Sequence, residues 1–101
     1  MHTYRVATPR NIFGKIKGLI GAEKAYPIFF KTRWGIHTFG LRFPIDVLIL
    51  DSEYKTVKIA ENLLPNKILL WPVIYENVLE LPAGEIKRQS IHLGEKVQLR
   101  L

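Results

Sequence analysis

With 101 residues, 48% of them hydrophobic and 24% charged, the chain has the make-up of one ordinary globular domain, able to bury roughly 60–65% of its unfolded surface. It has no apolar run near the ~18 residues of a membrane-spanning helix, and its lack of cysteine excludes disulfides, thiolate nucleophiles, zinc knuckles and iron–sulfur clusters. The net charge of +6 is lopsided: residues 1–45 hold eight Lys/Arg against one acid, Glu23, while residues 46–101 hold seven against eight. That excess favours an anionic partner if it clusters in space, and is a solvated basic face if it does not. The opening MHTYRVATPRN has no apolar h-region, so the expectation is no secretory leader and a cytoplasmic location. One Met, two Gln and heavy use of Ile and Leu hint at a heat-adapted source.

In chain order, His2 to Ala7 alternates apolar and polar residues and predicts a half-buried strand. Thr8-Pro9 then reads as an N-cap and first helical residue. Ile12, Phe13, Ile16, Leu19 and Ile20 recur at helical spacing, and Gly21 supplies a stop. The spacing therefore predicts a helix over about 9–20. Strands follow at Ile28 to Thr32 and at Ile36 to Phe43, around a Trp34-Gly35 turn. Ile45 to Leu50 and Thr56 to Ala60 form a hairpin across Ser52-Glu53-Tyr54, Ile74 to Leu81 is a further strand, a helical turn falls near 83–89, and Val97 to Leu101 alternates as a last strand. The segment Glu61 to Pro72 is unusual, because its two prolines bar it from a central strand although it is rich in Leu, Ile and Trp. It either caps the core or presents an adhesive surface.

The chemistry concentrates around GIHTFGLRFPIDVLILD, residues 35–51. If 36–43 is one strand, parity sends His37 inward with Phe39, Leu41 and Phe43, and sends Thr38 and Arg42 outward. Asp46 lies in a segment apolar on both faces, so it is at least half buried and needs a cation or N–H donors; Arg42, Arg33, Thr38 and local backbone amides are the candidates. Glu80 ends another strand beside the Pro82-Ala83-Gly84 turn, a position where binding groups are often carried. Asp46 and Glu80 together suit acid–base work, or each ties a turn to its neighbour. No histidine spacing supports a metal, and neither serine, Ser52 or Ser90, sits in a nucleophile elbow. The glycines at 14, 18 and 21 do not form a P-loop. Residues 31–43 interleave cations with aromatics as single-strand nucleic-acid platforms do, although parity turns Phe39 and Phe43 toward the core.

Three segments carry a family resemblance. Lys17-Gly18-Leu19-Ile20-Gly21 resembles the Arg-Gly-Leu-Met-Gly signature of the domain-of-unknown-function family 192, a family of small prokaryotic domains. Phe39 to Val47 resembles its central block around Pro-Leu/Ile-Asp, and Val78-Leu79-Glu80-Leu81-Pro82-Ala83-Gly84 with Gly94-Glu95-Lys96-Val97 resembles its closing pattern. Ile20, Leu41 and Glu95 stand where methionine, methionine and aspartate are usual. The resemblance implies a compact β-rich fold with a helix, no established activity, and Arg42, Asp46 and Glu80 as the polar positions that carry the motifs.

These readings converge on a single domain, 1–101, of mainly β (α+β) class. Its architecture is a small barrel-like or strongly curved, mostly antiparallel sheet with the N-terminal helix and the later helical turn. The expected function is a non-catalytic module that binds a small ligand or a protein through Thr38, Arg42, Asp46 and Glu80, without cofactor, metal or membrane. One rival is a small hydrolase or isomerase using the Asp46/Glu80 pair, which requires both carboxylates in one cleft. Another is nucleic-acid binding through the basic N-terminal half.

Overall fold

The computed structural model describes residues 2–7, 19 and 22–100. The helix expected over about 9–20 lies outside the described residues. Among the described residues, eight strands and one short helix follow in the order β1 (His2–Arg5), β2 (Ile28–Lys31), β3 (Gly35–His37), β4 (Ile45–Leu50), β5 (Thr56–Leu63), β6 (Ile68–Leu70), β7 (Asn77–Pro82), α1 (Glu85–Gln89) and β8 (Val97–Arg100).

The centre of the fold is a four-stranded sheet in the order β2-β7-β4-β5, antiparallel throughout. All six residues of β4 are buried, because neighbours flank the strand and a hydrophobic cluster covers each of its faces. Leu48, Leu50, Leu79 and Leu81 face one cluster, with Tyr4, Val6, Ile86, Ile91 and Val97. Ile45, Val47, Ile49 and Val78 face the other, with Leu19, Ile28, Phe30, Leu41 and Trp71. The strict alternation of these two sets along β4 and β7 is the pleat expressed in packing.

The remaining strands form two separate pairs: β1 parallel to β8, and β3 antiparallel to β6. Isolated bridges tie the first pair to the main sheet, at Ala7–Ile28 on one side and Lys55–Lys96 on the other. The strands therefore occupy three sheets, and the barrel-like expectation is corrected accordingly: the described strands do not close into a barrel. Irregularities interrupt the ladder. Between Ile45–Leu63 and Val47–Ala60, two residues of β5 oppose one of β4, and the register shifts again between Ile49 and Leu50. Such bulges bend and twist a sheet instead of letting it run on evenly.

Several boundaries also differ from expectation: β7 begins at Asn77 instead of Ile74, and β5 runs on to Leu63 instead of Ala60. The strand expected over 36–43 ends at His37 and gives way to turns. The segment 61–72 contains the end of β5 and the short strand β6, which pairs with β3 alone and so meets the requirement that a proline-bounded strand stay at an edge. The β3–β6 contact is close: a Cβ at Gly35 would collide with the Leu69 carbonyl and the Leu70 side chain. No helix among the described residues is long and apolar enough to cross a membrane.

Candidate functional site

Asp46 sits in the middle of the buried strand, 0% exposed, with its side chain on the Leu48/Leu50 face. The β-bulge leaves Asn62 in a left-handed conformation (φ 51°) opposite it, and the Asn62 N–H donates to Asp46 Oδ1 at 2.8 Å. The other oxygen, Oδ2, accepts the Ile86 N–H at 2.8 Å. That amide belongs to the first turn of α1, whose N–H groups have no partner within the helix. Gly84, at φ 91°, lets the chain after Pro82 reverse and aim the turn back at β4. One carboxylate thus fastens both a bulge and a helix start to the central strand.

Glu80 sits one rung away on β7, directly across from Val47 on β4 and Ile28 on β2. Cross-strand partners share a face, so Glu80 points into the Val47/Ile28 cluster, whereas Asp46 pairs with Leu81 and points into the other. The two carboxylates are on opposite sides of the sheet. This overturns the hydrolase or isomerase reading, which needed them in one cleft. Glu80 is 4% exposed, and burial pushes its carboxyl up to about 7, partly offset by a backbone hydrogen bond from Leu19. Its Oε1 has no hydrogen-bond partner among the described residues.

Thr38 is buried, contrary to the parity expectation, because β3 stops one residue earlier. Its hydroxyl donates to the Leu64 carbonyl at 2.7 Å and accepts the Lys67 N–H at 2.8 Å. Its backbone N–H donates to Lys67 O, and its own carbonyl accepts from Asn66 and Leu41. Thr38 therefore pins the loop that leads into β6. Arg42 is exposed in the turn before Pro44 and makes no ion pair among the described residues; the Asp46 oxygens that it was expected to meet are taken by backbone amides. The four expected residues do not gather into one patch: Asp46 and Glu80 are on opposite sheet faces, Thr38 is internal to a loop anchor, and Arg42 is at the surface.

The same early end of β3 turns the His37 expectation around. His37 and Phe39 are exposed, their rings stacked with centroids 5.2 Å apart. His37 is opposite Ile68, and Gly35 opposite Leu70, so one face of the β3–β6 ribbon presents Leu70, Ile68, His37 and Phe39 to solvent. Ile68 and Leu70 are each 63% exposed, while Ile36 and Leu69 on the reverse pack into the core. Of the ten large hydrophobic residues exposed among the described residues, seven fall within 34–39 and 64–74. Composition in 62–72 signalled an apolar surface, but its partner, the His37–Phe39 stack, was hidden by the strand-parity assumption.

Residues 2–99 match the family model DUF192, described as an uncharacterized ACR. The chain belongs to this family. The DUF192 fold is shared with two solved structures. A protein of unknown function from Novosphingobium aromaticivorans superposes with a TM-score of 0.79 at 20% identity, over 90% of this chain and 71% of that one. A putative transcription regulator from Sinorhizobium meliloti superposes with a TM-score of 0.80 at 22% identity, over 90% and 78%. At these identities the likeness establishes the DUF192 fold and nothing more. No curated protein matches the chain.

Proposed function

We propose that this DUF192 domain is a non-catalytic binding module whose docking surface is the outer face of the β3–β6 ribbon. Its occupant on this reading is an extended, apolar segment of a partner protein, flanked by acidic residues. The observation that carries the reading is the exposure of Ile68 and Leu70 beside the His37–Phe39 stack, since exposed apolar patches of this kind mark interaction surfaces. Charge selects the partner. Residues 32–45 and 62–75 contain no acid, while Arg42 and Lys67 supply cations, so acidic flanks complement the rim. In this arrangement Arg42 acts at the rim, and Thr38 holds the loop that presents β6.

A second reading takes support from the same stack: exposed aromatics among cations also suit a single-stranded nucleic acid. The exposed set, however, holds more aliphatic side chains, Leu64, Ile68, Leu70, Val73 and Ile74, than aromatic ones, Trp34 and Phe39, which favours a protein. Trp34, 69% exposed beside Gly35, is a built-in reporter. A synthetic peptide of alternating Leu and Phe flanked by Glu should blue-shift tryptophan emission, and should fail to do so in the Ile68→Asp/Leu70→Asp double variant. An equal response to a Lys-flanked version sinks the charge argument. A response only to oligo-dT or to anionic vesicles sinks the protein reading.

A further inference from the structure

A second, polar cavity opens at the end of the main sheet, where the β4–β5 turn meets the starts of β7 and the loop after β2. It measures about 270 Å³ and is lined by Lys31, Arg33, Asp51, Ser52, Glu76 and Asn77, with Tyr54 and Tyr75 among the remaining walls. Asn77 is its deepest polar side chain, only 6% exposed. It occupies the rung between Lys31 on β2 and Leu50 on β4. The amide Nδ2 donates to the Asp51 carbonyl at 3.0 Å, and this contact fixes which end of the amide is oxygen. Oδ1 is left without a hydrogen-bond partner among the described residues. A buried acceptor in that state costs free energy until a donor reaches it.

We infer that this cavity is a binding site for a small molecule bearing a primary ammonium group, which donates to Asn77 Oδ1 and faces the Asp51 carboxylate. The choice of an ammonium rests on which groups are already committed. The cations in the wall are engaged: Arg33 Nη2 lies 3.2 Å from Glu76 Oε2 and its Nη1 donates to the Val73 carbonyl, while Lys31 Nζ lies 3.9 Å from Glu76 Oε1. An entering anion has to break those contacts. The uncommitted groups are acceptors. Asp51 Oδ1 takes the Glu53 and Lys55 N–H groups that close the turn, and its second oxygen takes no hydrogen bond among the described residues. A carboxylate oxygen in the wall of the same cavity as Asn77 asks for a donor, and for positive charge. An α-amino acid and a simple alkylamine share this chemistry.

The test is a titration of the 15N-labelled full chain with ethylamine, glycine, acetate and glycerol, following the Asn77 side-chain amide and the amides of 51–55 by NMR. Ethylamine should shift these signals in a saturable way, with acetate and glycerol at least tenfold weaker. If glycine binds tighter than ethylamine, an amino acid is the ligand type; if weaker, an amine is. Asn77→Leu should abolish the response. Because that residue is buried, Ser52→Trp, an exposed substitution at the mouth, serves as the variant that leaves the fold intact and should block entry. No saturable shift with either ammonium compound, equal shifts with acetate or glycerol, or unchanged binding in Ser52→Trp overturns the inference.

Discussion

Asp46 and Glu80 are both nearly inaccessible carboxylates on neighbouring strands of one sheet, yet they are in opposite physical situations. On the α1 side, each Asp46 oxygen receives a backbone N–H at 2.8 Å, so the cost of burial is met by two donors. On the far side, Glu80 is surrounded by Ile28, Val47 and Leu19, keeps one oxygen without a partner, and is pushed up to about 7 by burial. Burial alone therefore does not define a polar residue's role. The count of donors that reach it does.

Substitutions at the two carboxylates break this comparison most directly. Asp46→Ala removes two charge-assisted hydrogen bonds and strands two amides, a loss of about 3–5 kcal/mol. Urea unfolding should show the midpoint falling with an unchanged slope. A loss under about 1 kcal/mol would mean that water replaces the carboxylate and that α1 needs no anchor.

Glu80 acts through pH. Its folded carboxyl titrates at about 7 instead of its ordinary 4.5, so the folded state binds the proton more tightly than the unfolded one. Its contribution is therefore most favourable below pH 4.5 and is lost as pH rises through 7, by roughly 3 kcal/mol in all. Glu80→Gln, which cannot ionise, should flatten that interval of the stability profile and be more stable than the parent at pH 8. Superimposable profiles would show that the Glu80 carboxyl is not the titrating group.

Smaller effects sharpen the contrast at the surface. Thr38→Val deletes the hydroxyl that both donates to Leu64 and accepts from Lys67, with an expected loss of about 1–3 kcal/mol. Amide exchange of 64–67 should accelerate more than exchange of β4. Arg42→Ala should change stability by no more than about 0.5 kcal/mol, while weakening capture of the acid-flanked peptide. A large stability loss there would place Arg42 in the scaffold instead of at the rim.

Much of this molecule follows from its sequence alone. The run Ile45 to Leu50, apolar at every position but Asp46, determined a central strand covered on both sides. Alternation set β1 and β8, the Ser52-Glu53-Tyr54 break set the β4–β5 hairpin, and Pro82-Ala83-Gly84 placed the turn into α1. Three segment motifs were sufficient to indicate the family. These features are legible because periodicity and turn chemistry act over a few residues. The tertiary structure alone decided which sheet face each carboxylate takes, because that depends on the register between β4 and β7, strands far apart in sequence. It also decided that β3 stops at His37, where backbone hydrogen bonds from Thr38 to the 64–67 loop replace a longer ladder, turning His37 and Phe39 outward. The orphaned oxygen of Asn77 belongs to the same class, since a group's satisfaction depends on every neighbour the fold brings to it.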